Sequence, residues 1–134
     1  MIRRLIILLL IVGCAKEPAK ELAKEPEPIN LEALNERGDV YYTINTNDPY
    51  TGAVFELYSS GEKEFEVYLK DGKRDGKLTS YYRNGKKDSE INYKDGKRDG
   101  KVAEYYDNGQ IKEEANFKDG ELNGKATEYY ENGQ

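Results

Sequence analysis

The sequence predicts an all-β fold, a single-layer antiparallel β-meander built from 24-residue hairpin repeats. Three observations predict it. Glycines recur every 24 residues at Gly52, Gly76, Gly100 and Gly124. Between them, two turn signals alternate: Asn84-Gly85, Asn108-Gly109 and Asn132-Gly133, with Ser60-Gly61 in the first copy, and Asp71-Gly72, Asp95-Gly96 and Asp119-Gly120. The stretches separating the turns are strand-length and rich in Tyr, Val and Ile. A fixed period in this range marks a repeat array, in which each unit buries its surface against its neighbours.

The chain begins with Met1-Ile2-Arg3-Arg4, a short basic segment. Leu5 to Val12 follows as an apolar run too short to span a bilayer, and it ends at Gly13-Cys14. Residues 1–13 therefore read as a signal peptide. The string Ile11-Val12-Gly13-Cys14 resembles the lipobox of bacterial lipoproteins. That resemblance implies cleavage before Cys14, acylation of its sulfur and new amino terminus, and stable anchoring by several acyl chains together. Cys14 is the single cysteine, so no disulfide framework is available in spite of the oxidising destination. Ala15 rather than an acidic residue follows it, which in a Gram-negative host resembles lipoproteins sent to the outer membrane. The expected location is the bacterial envelope, facing periplasm or exterior.

Residues 14–30 form the expected lipid-anchored linker. Its Lys-Glu-Pro rhythm, broken by Pro18, Pro26 and Pro28, reads as a disordered, solvated tether. Residues 31–51 read as a lead-in with one strand, Val40 to Ile44, preceded by a short turn or helix and followed by the loop 45–52. The Arg37-Gly38-Asp39 triplet within it reads as coincidence rather than an adhesion motif. Repeats then occupy 52–75, 76–99 and 100–123, with a partial copy at 124–134. The last strand, 124–130, is expected to be an edge completed by further chain or by a partner.

Both turn signals suit two-residue type I′ loops, which need positive φ at both central positions. A loop at Asn84-Gly85 sets Gly76 opposite Tyr93, Leu78 opposite Ile91 and Tyr82 opposite Lys87. The next copy sets Gly100 opposite Phe117, Val102 opposite Ala115 and Tyr106 opposite Ile111. The first copy sets Gly52 opposite Leu69 and Val54 opposite Val67. Each glycine thus lies beneath a large side chain, an arrangement known to stabilise sheets. One face collects the apolar residues, and nothing in the sequence supplies a second layer to cover it. The other face is polar and carries a tyrosine column, Tyr81, Tyr105 and Tyr129. That column is the candidate partner-binding surface, since tyrosine is favoured at interfaces. Gly52, Gly76, Gly100 and Gly124 and the second column, Tyr58, Tyr82, Tyr106 and Tyr130, are assigned structural packing roles.

These residues resemble the MORN repeat (membrane occupation and recognition nexus) in its bacterial variant form. Glycines, the Tyr pair and both turns recur in register over about 52–134, and the lead-in from Tyr41 to Gly52 is similar to the segment that opens such arrays. The third place after each glycine, usually a marked aromatic, is here Phe55, Thr79, Ala103 and Thr127. The resemblance implies a β-meander used for protein or membrane contacts. Some bacterial relatives bear antitoxin-type names, so an antitoxin or immunity-type protein is one alternative reading.

Composition narrows the chemistry. There is no histidine, so His-based triads, general bases and imidazole metal sites are excluded. The formal net charge is −5, and −7 once Arg3 and Arg4 leave with residues 1–13. An acidic chain is a poor nucleic-acid binder. A calcium loop starting at Asp71 fails because its third and twelfth positions are Lys73 and Tyr82. Glu104 and Glu113 face each other in the register above and read as a solvated rim. A glycan- or cell-wall-binding role is a further alternative, resting on the aromatics, although no Trp is present to cage a quaternary ammonium. No cofactor, metal or catalytic residue is expected, and the function expected is that of a membrane-anchored, non-enzymatic interaction or scaffold module with a protein or envelope partner.

Overall fold

The computed structural model describes residues 26–134. The segment read as a signal peptide, Cys14 and most of the segment read as a linker lie outside the described residues. The elements run in chain order as β1 (Ile29–Asn30), a 3-10 turn (Leu31–Ala33), β2 (Leu34–Arg37), β3 (Val40–Thr43), β4 (Gly52–Leu57), β5 (Lys63–Lys70), β6 (Lys73–Arg74), β7 (Gly76–Tyr81), β8 (Lys87–Lys94), β9 (Lys97–Tyr105), β10 (Ile111–Lys118), β11 (Glu121–Leu122) and β12 (Thr127–Glu128). Ten of these strands form one sheet whose long members follow sequence order, β4-β5-β7-β8-β9-β10, and are antiparallel throughout. β1 pairs parallel to β4, and β2 with β3 forms a separate hairpin. The all-β meander expected from the sequence is the observed fold.

The inner register agrees with the sequence reading. Gly76 pairs with Tyr93, Leu78 with Ile91, Gly100 with Phe117, Val102 with Ala115, Gly52 with Leu69 and Val54 with Val67. Near the Asn-Gly turns it departs. Tyr81, not Tyr82, faces Lys87, and Tyr105, not Tyr106, faces Ile111, with a bulge beside each turn. The cause is the turn type. The Gly85 N–H donates to Tyr82 O and the Tyr82 N–H to Lys86 O, both at 2.8 Å, so the loop spans Arg83, Asn84 and Gly85. Only the glycine has positive φ (81°). This is a type I turn closed by a glycine bulge rather than a type I′ turn. The Asn84 Oδ1 accepts the Lys86 N–H at 2.9 Å, which favours asparagine there. The Asp-Gly turns do follow the I′ expectation: Asp71 and Gly72 have φ 50° and 76°, Asp95 and Gly96 have 48° and 82°.

Gly52 lies under the Tyr50 ring, but Gly76 and Gly100 are needed for a reason other than the one their register partners suggested. A Cβ on Gly76 would meet nothing within 4 Å, so no ring fills the space beneath it. Its φ is 100°, and that of Gly100 is 108°, values L side chains rarely adopt. Opposite the two-residue step from Ile91 to Tyr93, β9 takes four residues from Val102 back to Arg98, so two extra residues are inserted around Gly100. The glycine makes this bulge, which separates the short arm of each Asp-Gly hairpin from the long strand that follows.

The lead-in supplies the second layer that the sequence reading lacked. Leu34 and Tyr41 pack on Val54, Val67 and Leu69 in one buried cluster, flanked by Ile29, Leu31, Tyr50, Phe65 and Leu78. Residues 31–51 hold the 3-10 turn and the β2–β3 hairpin in place of the one strand expected, and β1, in the last two residues of the segment read as linker, adds a further strand to the sheet. The hairpin turns at Gly38-Asp39, with Arg37 stacked on Tyr42 and hydrogen-bonded to Asn47, so the Arg-Gly-Asp triplet serves as a turn. The end of the lead-in imitates a repeat arm. The Gly72 N–H donates to Tyr50 O just as the Gly96 N–H donates to Arg74 O and the Gly120 N–H to Arg98 O. Thr51 Oγ1 accepts the Asp71 N–H at 2.9 Å, the place Asp75 takes for Asp95 and Asp99 for Asp119.

This docking generates a prediction. A methyl at Gly72 would lie 2.5 Å from Val40 Cγ1 and 2.6 Å from Tyr41 O, whereas at Gly96 its nearest neighbour is the Lys73 side chain at 3.7 Å. Both substitutions to alanine pay for positive φ, about 1 kcal/mol. Gly72→Ala must also push the hairpin off the sheet, so its urea midpoint should fall clearly below that of Gly96→Ala; equal losses would disprove this account of the cap.

Candidate functional site

The polar face of the sheet is built from three rows set by strand alternation. Tyr81, Tyr105 and Tyr129 form one row, and Lys77, Lys101 and Lys125 another, four residues earlier on the same segments. Between them Glu66, Glu90 and Glu114 alternate with Thr79, Ala103 and Thr127 in register. The small residues form a floor: Thr79 is 8% and Ala103 2% exposed, so this face is not uniformly wet. The places where the repeat pattern usually carries a marked aromatic hold, in repeats two and three, the side chains over which the longer ones fold.

The candidate tyrosines are half-buried, and their hydroxyls are committed internally. Tyr81 donates to Glu66 at 2.8 Å, Tyr105 to Glu90 at 2.9 Å and Tyr129 to Glu114 at 2.9 Å. Each glutamate also meets a lysine. Lys63 reaches Glu66 at 2.6 Å, Lys77 and Lys87 both reach Glu90 Oε1 at 3.0 Å, and Lys101 reaches Glu114 at 2.7 Å. The Lys87 ammonium also lies 5.6 Å from the Tyr105 ring centroid. What this face can offer a partner is therefore ring faces, lysines and backbone-held clefts, with the phenol groups fixed in place. The glutamates are the part the sequence reading missed. Their link to the tyrosines runs at a 15-residue offset across neighbouring strands, a spacing the 24-residue alignment does not display.

The titration behaviour follows from these contacts. Hydrogen bonding from Lys87, then from Lys77 and Tyr105, holds Glu90 down to about 2 against the opposing effect of burial. Lys63 and Tyr81 lower Glu66, and Lys101 and Tyr129 lower Glu114. Burial, reinforced by the Glu66 acceptor, pushes Tyr81 up to about 12.

The second tyrosine column stitches the repeats together. Tyr58 donates to Tyr81 O at 2.7 Å, Tyr82 to Tyr105 O at 2.5 Å and Tyr106 to Tyr129 O at 2.8 Å. Tyr130 is 76% exposed. The first three of this column thus bond through their hydroxyls to the backbone of the next repeat. On the opposite face Ser80 and Ser89 share a hydrogen bond at 2.8 Å, while the equivalent pair one repeat on is Glu104 and Glu113, with Glu128 beyond.

Fold and surface together define a β-meander repeat protein that shows nearly the same side-chain lattice in each unit. The MORN repeat variant family matches residues 74–95, 98–119 and 122–134, so the second half of the chain is an array of MORN-variant repeats. Residues 52–73 lie outside those matches yet fold as the same hairpin, with Tyr58 bonded forward as Tyr82 and Tyr106 are. Comparison with curated proteins found no match, and comparison with solved structures found none. MORN repeats indicate a binding or scaffold role.

Two outcomes are expected. A depressed carboxylate stabilises the fold fully above its unfolded pKa, here 4.5, and loses that contribution as pH falls toward about 2. Urea midpoints should therefore drop between pH 5 and pH 2, and the drop should be shallower in Glu90→Gln; an unchanged slope would remove Glu90 as a determinant of acid stability. Glu113 stands directly opposite Glu104 and Glu128, and like charges in that position cost stability. Glu113→Gln should raise the urea midpoint by the equivalent of about 0.5 kcal/mol.

Proposed function

We propose that this chain is a lipid-anchored, non-enzymatic interaction module that presents its repeat array to a protein partner in the bacterial envelope. The observation that carries the reading is the repetition of one polar surface. Tyr, Glu and Lys recur with the same contacts from unit to unit, as in a surface made to be contacted along its length rather than at a single reactive point. The lipobox-like string at Cys14 supports the anchor, and the Lys-Glu-Pro segment supports a spacer. With about 3.3 Å per residue at full extension, residues 15–28 would let the array stand up to roughly 45 Å from the acylated cysteine.

The test is crosslinking in cells with the lipidated protein, followed by identification of what is captured, alongside detergent partitioning. The expected results are one recurrent protein partner and loss of the detergent-phase fraction in Cys14→Ala. Unaltered partitioning of that variant would refute the anchor. A turnover that depends on a repeat carboxylate would refute the non-enzymatic reading.

A further inference from the structure

The polar face is basic although the chain is acidic. Lys63, Lys77, Lys87, Lys101 and Lys125 stand on it against Glu66, Glu90 and Glu114. Two ammoniums share one oxygen of Glu90, and Lys125 has no carboxylate partner among the described residues. The reverse face carries the acidic row of Glu104, Glu113 and Glu128. Lysines thus outnumber carboxylates on the tyrosine side, whereas on the reverse face Arg74, Arg98 and Lys112 stand among the glutamates, in a chain with net charge −5.

Two equivalent clefts open on that side. One, about 290 Å³, is lined by Lys77, Glu90, Asn92, Lys101, Ala103 and Tyr105. Its counterpart one repeat along, about 270 Å³, lies between Lys101 and Lys125 over Thr127, with Asn116 in the place of Asn92. The lysine and tyrosine rows are four residues apart along each strand, which makes a trough roughly 13 Å wide. Each repeat advances two strands across the sheet, about 9.6 Å.

We propose that this trough binds a polyproline-II segment of a partner protein carrying an acidic residue at every third position. The argument is one of period. A polyproline-II helix has about three residues per turn and rises about 3.1 Å per residue, so every third side chain returns to the same side after about 9.3 Å. That spacing matches the repeat advance. A segment running across the strands lays one edge on the lysine row, where acids meet Lys77, Lys101 and Lys125. A second edge lays proline rings against Tyr81, Tyr105 and Tyr129, the aromatic contact such segments favour. The third edge stays in solvent. The hydroxyl bonds to Glu66, Glu90 and Glu114 fix the ring positions in advance, and the stiff ligand loses little entropy, so both sides are preorganised. The floor glutamates are engaged by Tyr and Lys and so present little uncompensated negative charge to the incoming acids.

This inference rests on the interaction-module reading and names the partner's chemistry. It is tested on the full chain by fluorescence anisotropy with labelled (Glu-Pro-Pro)4 against (Glu-Pro-Pro-Pro)4, which carry equal charge and differ in period. The expected result is at least about tenfold tighter binding of the three-residue period, falling steeply with salt, and lost in Lys101→Glu. Lys125→Glu, at an exposed and unpaired site, gives the same readout if Lys101→Glu does not fold. Tyr105→Phe keeps the ring and should keep binding. Equal affinity for the two peptides, or undiminished binding by both charge-reversal variants, overturns the proposal. If the peptides fail while crosslinking still captures a protein, only the ligand assignment falls. If neither binds, the interaction module falls with it.

Discussion

The paired tyrosines, Tyr81-Tyr82, Tyr105-Tyr106 and Tyr129-Tyr130, with Tyr58 standing alone beside Leu57 in the first repeat, are the contacts on which the rest of the structure depends. Beyond the unit that the lead-in covers, the sheet is a single layer, with no opposing layer to fix the spacing and twist of its strands beyond the backbone ladder. Here the two members of each pair face opposite ways and bind opposite neighbours. Tyr82 donates forward to Tyr105 O, while Tyr81 donates back to Glu66. The second and third repeats are thereby each tied to the unit before and the unit after. The arrangement needs the pair to sit beside a bulge, because the bulge makes Tyr81 the residue that faces Lys87 and leaves Tyr82 free to reach along the edge. The Asn-Gly turn that produces the bulge is therefore part of the same device as the tyrosines.

A second line of contacts runs along the opposite edge of the sheet. Each Asp-Gly turn donates its glycine N–H to the preceding short arm, and its aspartate N–H to a side chain of that arm. Arg74 and Arg98 lie over Tyr93 and Phe117 at 5.7 and 5.4 Å. Backbone groups that would otherwise be left open at a hairpin end are thus paired, and the glycine bulges let the short arms take their own direction. The charges follow the faces. Lysines interleave with bonded glutamates on one side, and on the other the Glu104, Glu113 and Glu128 row has Lys112 beside it at 3.5 Å from Glu104.

Much of this was legible in the sequence, and what escaped it did so for identifiable reasons. Period, meander and inner register could be counted because Gly76 and Tyr93, or Val102 and Ala115, are fixed by alternation alone. The turn at Asn84-Gly85 was misjudged because Asn-Gly serves both a two-residue I′ loop and a three-residue loop with a glycine bulge, and the choice depends on hydrogen bonds that composition does not record. That one-residue difference moved Tyr82 off Lys87. The cap was invisible because the lead-in lacks the repeat's spelling: Tyr50 and Thr51 do the work of Arg74 and Asp75 with different side chains. The glutamate contacts of the tyrosine row were hidden by their 15-residue offset.

The cap also determines how the array should share its stability. In a repeat array each unit contacts only its neighbours, so its stability is the sum of intrinsic and interface terms. The first unit gains the lead-in, and there Leu69 and Val54 are the most completely buried side chains. Farther along, Ile91, Val102 and Phe117 are only partly covered, and Leu122 is 52% exposed. The anchored core and the recurring polar trough are therefore offset: the trough clefts lie over the second, third and fourth glycine units, away from the cap. A ligand spanning Lys77 to Lys125 would bridge units that have only lateral ties, and so would add to the stability of the part of the sheet that the lead-in does not cover.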